Sequence, residues 1–389
     1  MPLTEALFWL AVSAVAYAYI GYPCAIYALS FWFPSAVHKK PFTPTMTILI
    51  AAYNEHAQIG TKIENCLALA YPPDRLDVIV VSDGSTDNTA GIVTEYARRF
   101  PTRVSLISLP TRGGKANALN VGAGRARGEI LFLADVRQRF DPKAAEALAA
   151  NFADSSIGAV TGELLWIEEG NAERLQGLGL YWRYEKALRR AETRFGSTVV
   201  YTGAVSAVRR SLFPILPKET LVDDLVVPLR IMAQGFRVVF EPNARAVDWV
   251  SRIPWHEFSR KVRTLAGLFQ TLVNFRTHVG SLGIRAWWQL ISHKVLRLLV
   301  PYALLITFVS SLFLWGPFYR FALVAQVSAY GLGLIGLLSP KAINKIRIIS
   351  VPSTFLMLNL AAIIAPVRYL TGQSLDLWLR GPTQDLRHA

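Results

Sequence analysis

Apolar and polar positions follow three regimes along the chain. From Ala6 to Phe33 nearly every position is apolar, a run that passes Gly21 and Pro23 and is long enough to cross a bilayer with some tilt or a kink. From about 45 to 245, short apolar runs of strand length alternate with amphipathic stretches of helix length. The first such strand is TMTILIAA, ending in Tyr53-Asn54-Glu55; a helix follows over 58–70, a second strand over 76–82, a helix over 86–99, a strand over 103–108 and a fourth strand over 129–133. Val78 to Val81 are β-branched and uninterrupted, as in a parallel strand covered on both faces. Strands alternating with helices predict a parallel sheet flanked by helices. The stretch 173–194 reads as a helix mixing aromatic and basic residues, VVYTGAVSAVRR (199–210) as a strand broken at Gly203, and 219–242 as a helix headed by Asp223 and Asp224, then a short strand.

Beyond 250 the pattern changes again. Phe258, Val262, Leu265 and Phe269 alternate with Arg260, Lys261 and Arg263 in the manner of a helix lying in a membrane interface. Trp287-Trp288 forms an aromatic belt, and apolar spans follow at about 295–315, 318–339 and 348–367. The expected organisation is a membrane segment over 1–36, a catalytic domain over 37–250, interfacial helices over 251–293, about three spans over 294–370 and a tail over 371–389. His38, Lys39 and Lys40 follow the first span, so the positive-inside tendency places the domain in the cytoplasm. A cleaved leader fits poorly, since no basic residue precedes the apolar run and the run is too long. The charge rule does not close at the other end: three further crossings put the tail outside, although it carries Arg380 and Arg387.

Composition agrees with a membrane protein, with 52% apolar residues and a mean hydropathy of +0.31. The formal charge of +14 raises nucleic acid as a partner, but no recognisable nucleic-acid module is present. Basic residues cluster near the apolar spans and in 183–210, which favours anionic lipid and phosphorylated small molecules. Two cysteines, Cys24 and Cys66, form neither a disulfide framework nor a zinc site. Gly122 to Gly128 imitates a dinucleotide fingerprint but closes a helix instead of opening one. His256, His278 and His293 lack metal spacing and read as interfacial.

Four loops end at what should be one edge of the sheet, where ligands collect in open α/β folds. They carry Tyr53-Asn54-Glu55, Asp83 with Asp87, Arg112 to Asn117, and Asp135. A strand-end carboxylate such as Asp83 accepts hydrogen bonds from a nucleobase, and a glycine loop with Arg112 and Lys115 suits a diphosphate. Asp135 suits a divalent cation, and Asp224, at a helix start, suits a general base. Asp87 and Ser85 read as turn and cap residues.

With these residues in place the chain, over roughly 45–370, resembles the bacterial membrane-integrated family-2 glycosyltransferases, the group that includes cellulose, hyaluronan and poly-N-acetylglucosamine synthases. The resemblance implies an α/β GT-A (Rossmann-like) nucleotide-sugar-binding domain inserted between transmembrane helices of the bacterial inner membrane. It implies an inverting transfer from a nucleotide sugar, such as a UDP-sugar, to a polysaccharide or lipid-linked saccharide acceptor, with export or assembly subunits as further partners. Within the family pattern Asp83 matches the carboxylate that binds the nucleobase, Asp135 the metal-binding Asp-x-Asp, and Asp224 the catalytic base beside Asp223. Arg263 matches the arginine of Gln-x-x-Arg-Trp that contacts the diphosphate, and Thr202-Gly203 the loop beside the acceptor. Two departures stand out. Arg137 occupies the second carboxylate of Asp-x-Asp, which weakens the expected Mg²⁺ or Mn²⁺ site. Arg260 and Thr264 stand for Gln and Trp, which weakens a cellulose-like processive synthase without excluding polymer synthesis; the alternatives are a single-addition transferase on a polyprenyl-linked sugar and, motivated by the broken Asp-x-Asp, a silent nucleotide-sugar-binding subunit of an export complex.

Overall fold

The computed structural model describes residues 2–167, 176–249, 254–338 and 347–372. A first helix, α1 (Leu3–Trp32), is predominantly apolar and contains a π turn at Tyr17–Gly21. The α/β body then comprises β1 (Met46–Ala52), α2 (Ile59–Leu67), β2 (Leu76–Asp83), α3 (Thr89–Arg99), β3 (Val104–Leu109), α4 (Lys115–Arg125) and β4 (Ile130–Ala134). It continues with β5 (Arg139–Phe140), α5 (Ala144–Ala149), β6 (Ile157–Ile167), α6 (Gln176–Phe195), β7 (Val205–Arg209), α7 (Asp223–Ala233) and β8 (Arg237–Trp249).

The eight strands form one sheet in the order β3-β2-β1-β4-β7-β6-β8-β5. The first four are parallel, and the apolar runs in β1, β2 and β4 have the predicted cause. Ile48, Ile50, Val78, Val80 and Phe132 enter a core on one face, while Leu49, Ile79, Val81, Leu131 and Leu133 enter a second core on the other. Beyond β4 the expectation of a parallel sheet needs correcting. β7 runs antiparallel to both β4 and β6, and β5 is antiparallel to β8, so the sheet is mixed. The strand expected over 199–210 is confined to Val205–Arg209. Residues ahead of it leave the ladder because the Thr202 N–H donates to Thr161 Oγ1 and the Val205 N–H to the Thr202 carbonyl, which closes a turn at Gly203.

Four helices among the described residues are long and apolar enough to cross a membrane: α1, α9 (Ile284–Phe313), α10 (Pro317–Leu338) and α11 (Ile348–Leu370). The amphipathic α8 (Pro254–Val273) precedes them and packs Val262 and Ala266 against Ala361 and Ala365 of α11. The span expected from 295 starts earlier, at Ile284, because Trp287-Trp288 continues into it through a π turn at Ile291–Val295. The side chains of Trp255, His256 and His278, and the tail with Arg380 and Arg387, lie outside the described residues.

Candidate active site

The strand register brings the four loops together. Ala52 pairs with Ser82, Ile50 with Ala134 and Asp83 with Leu109, so β1 to β4 end at one edge. Tyr53-Asn54-Glu55, Asp83, the 110–114 loop and Asp135 therefore emerge side by side. Asn54 takes a left-handed conformation (φ 54°), and its Oδ1 accepts the Thr86 N–H at 2.8 Å. That bond ties the first loop to the second. Asp87 accepts N–H groups from Thr89 and His56 at 2.9 and 3.1 Å, a turn and cap role.

Asp83 is fully buried, and its two oxygens accept the N–H groups of Gly113 and Gly114, each at 2.8 Å. It grips the glycine loop instead of lining open space. Gly84 completes the grip with φ +64°; a Cβ there would lie 2.5 Å from the Arg112 nitrogen. Arg112 in turn lies 4.4 Å over the Tyr53 ring. Gly114 (φ +86°) leads directly into α4, whose first turn starts at Lys115 and leaves helix N–H groups at the edge.

Lys115 is the electrostatic centre. Its Nζ lies 2.9 Å from Asp135 Oδ1 and 3.2 Å from Asp223 Oδ1, joining the end of β4 to the head of α7. Burial opposes ionisation of Asp135, yet Lys115 holds its carboxyl below the usual range. Asp224 behaves in the opposite way: burial, then the neighbouring Asp223 charge, pushes it up to about 6, against weaker pulls from Lys115, Lys294 and Arg263. Glu55 is pushed up to about 7 by burial and by the Asp135 charge. Gly203 closes the far side, since a Cβ there would lie 3.4 Å from Asp224 Cβ and 3.8 Å from Lys115 Nζ. Arg263 of α8 acts electrostatically on both Asp135 and Asp224, so the interfacial helix reaches the same site.

Arg137 does not face Asp135's partner position as a second carboxylate would. Its Nη2 lies 2.5 Å from Asp248 Oδ2, and Gln138 Nε2 donates to the same oxygen at 2.9 Å. The buried Asp248, on β8, is a partner that sequence reading missed; a cation in a carboxylate's place was the signal that a compensating acid lay elsewhere. For a cation, Asp135 offers a hard carboxylate engaged by Lys115 through one oxygen, and no cluster of three or more acidic, His or Cys ligands occurs among the described residues. A hard ion held there would need further oxygen ligands beyond Asp135. Thr264, at the Trp position of the family pattern, is exposed and donates back to the Arg260 carbonyl at 3.0 Å.

Residues 47–215 match the model of the family described as glycosyl transferase family 2. Among curated proteins, the poly-beta-1,6-N-acetyl-D-glucosamine synthase of Staphylococcus aureus (strain COL) is 26% identical over 241 residues, 58% of this chain and 57% of that protein. The probable glycosyltransferase YdaM of Bacillus subtilis (strain 168) is 27% identical over 239 residues, 54% of each chain. The chain thus spans little more than half the length of these relatives. Among solved structures, the mannosyltransferase PcManGT of Pyrobaculum calidifontis, in complex with GDP-Man and Mn²⁺, superposes with a TM-score of 0.73 at 24% identity, over 95% of this chain and all of that one. That likeness establishes the fold.

Proposed function

We propose, from the premise that the chain carries a family 2 glycosyltransferase domain of GT-A fold over residues 47–215, that it is an inverting glycosyltransferase at the cytoplasmic face of a bacterial inner membrane. Its donor is a nucleotide sugar, here taken as a UDP-sugar, and its acceptor a polysaccharide or lipid-linked saccharide. The relatives support the reaction class: one is named a polymer synthase and the superposed structure holds a sugar nucleotide with Mn²⁺. The single observation that carries the reading is Asp224, a carboxyl pushed up to about 6 beside Gly203, at the edge where the glycine loop and Lys115 meet Asp135.

In this reading Asp224 removes the proton from the acceptor hydroxyl, whose oxygen bonds to the anomeric carbon as the carbon–phosphate oxygen bond breaks. A base near neutrality suits that task. The glycine loop, with Arg112, Lys115 and the N-terminus of α4, holds the diphosphate, and Arg263 offsets the charge that develops on it. Asp83 positions that loop by its two backbone bonds, and Tyr53, Asn54 and Glu55 line the nucleotide side. Thr202, Gly203 and Asp223 form the acceptor side. Asp135 would hold a Mg²⁺ or Mn²⁺ ion, which supplies charge neutralisation to the departing diphosphate when bound.

The test is purified chain in lipid, offered a panel of nucleotide sugars with and without Mg²⁺ or Mn²⁺ and scored for nucleoside diphosphate release and product length. Donor-dependent release that Asp224→Asn abolishes, with nucleotide binding retained, supports the reading. Release that survives Asp224→Asn removes Asp224 from the role of base.

A further inference from the structure

The parallel strands have a second end, opposite the donor edge, and a cavity opens there. It measures about 820 Å³ and lies between the starts of β2 and β3 and the turn that follows α4. Ile79 and Ile107, on the sheet face that α4 covers, give it an apolar floor. Its charged lining is Arg75, Arg103, Arg125 and Arg127 against Asp74 and Asp77. Four arginines against two aspartates leave an excess of positive charge in one concave space. The volume is that of a small-molecule pocket.

The hydrogen bonds show that this charge is open. Among the described residues none of the four arginines is in an ion pair, and Arg75 alone has a side-chain hydrogen bond, 2.7 Å to the Thr43 carbonyl. Arg103 enters β3 with its carbonyl fixed by the Val78 N–H at 2.7 Å, yet its own Nε is buried with no hydrogen-bond partner. A buried guanidinium N–H without an acceptor is a cost that a bound anion removes. The acids do not supply that acceptor. Asp74 sits on the exposed turn ahead of β2, and Asp77 is engaged by the Thr47 hydroxyl at 2.8 Å. Arginine forks fit phosphate oxygens, and the floor beneath them fits a carbon framework.

The cavity is separate from the donor site and from the membrane. α4 runs from one site to the other, with Lys115 at its start and Arg125 at its end, about 15 Å of helix. The donor edge is the one reached by Arg263 of α8, the helix that packs on α11. The arginine cavity is at the opposite edge, so its ligand comes from solution.

We propose that this cavity is a second binding site, for a soluble small molecule that carries a phosphate or diphosphate on an apolar or aromatic body. Arg103, Arg125 and Arg127 hold the phosphate, and Ile79 and Ile107 support the body. The site does not rest on the glycosyltransferase reading, since none of these residues belongs to the donor or acceptor side.

The full chain, in bilayer discs of phosphatidylcholine, is photolabelled with azido-ADP and the labelled peptides are mapped by mass spectrometry. Label should fall within residues 101–107 or 125–128. ADP should displace it at least about tenfold more effectively than adenosine, which lacks the phosphates, or pyrophosphate, which lacks the ring. Arg103→Gln and the double variant Arg125→Gln/Arg127→Gln should each reduce that labelling at least about tenfold and leave UDP affinity at its wild-type value. Where Arg103→Gln does not fold, the exposed pair decides. Label confined to the donor edge, label at the cavity that survives the variants, or adenosine or pyrophosphate matching ADP overturns the proposal. Labelling lost when phosphatidylglycerol replaces phosphatidylcholine assigns the cavity to lipid headgroups and overturns the soluble ligand. Cavity labelling in a chain that releases no diphosphate from any donor refutes the transferase reading and leaves this site standing.

Discussion

Replacing Asp224 by Asn tests the site through stability as well as rate, and the two effects have opposite signs. Burial and Asp223 raise the Asp224 carboxyl from its ordinary 3.8 to about 6. A change of that size amounts to about 3 kcal/mol against the ionised form well above pH 6. Partial exposure to solvent screens it, leaving about 1–2 kcal/mol. The unfolded chain ionises near 3.8 and the folded chain near 6, so between those values the folded state holds the extra proton. Stability therefore falls as pH rises through that window and stays lowered above it. Asn carries no charge and escapes the penalty. Asp224→Asn should thus gain little at pH 4, gain progressively to pH 6, and unfold about 2–4 °C higher than wild type at pH 7.5. Its sugar transfer should fall by about 10²–10⁴ while UDP affinity is unchanged, and the wild-type rate should itself decline as pH drops below about 6. Thermal unfolding and diphosphate release are followed over pH 4–8. A variant less stable than wild type at pH 7.5, or one whose gain does not change with pH, refutes the argument that a desolvated carboxylate occupies this position.

Lys115→Met leaves Asp135 and Asp223 without their shared cation and should cost about 1–3 kcal/mol on denaturant unfolding and at least about tenfold in UDP affinity; wild-type UDP binding would remove Lys115 from the donor site. Gly84→Ala combines a left-handed φ of +64° with a Cβ 2.5 Å from the Arg112 nitrogen, so it should destabilise by about 1–3 kcal/mol and weaken UDP binding by displacing the loop that Asp83 holds. An unchanged melting temperature would contradict the contact. Arg137→Asp supplies the missing second carboxylate but strips Asp248 of its partner, so Mn²⁺ affinity, read by electron paramagnetic resonance, should rise while stability at neutral pH falls. Unaltered Mn²⁺ affinity would mean that position 137 does not address the cation.

How much of this was legible follows from the range over which each signal acts. The strands β1, β2 and β4 announce themselves because both faces are covered and their central positions are apolar, so their ends, and with them Glu55, Asp83 and Asp135, could be lined up from sequence alone. In the other half β7 and the start of β8 were legible as strands, whereas β5 and β6 were not. In β6, Gly158 and Gly162 and the acid Glu163 interrupt the run, and a Cβ at Gly162 would lie 2.2 Å from the Ala244 carbonyl, so this glycine is set by the close approach of β8 at a shift in register. Local propensity carries no trace of that neighbour. The same holds for charge. Arg137 looked like a damaged motif until Asp248, far along the chain, proved to be its counter-ion. His293 looked interfacial because it lies near the membrane boundary without metal spacing, whereas it is buried between Glu185 and Glu192. Each of these residues contradicts its local sequence context, and in each the resolution is an oppositely charged or closely packed partner on another element. For a chain of this kind an unexplained charge in an apolar run is therefore a question about a distant partner.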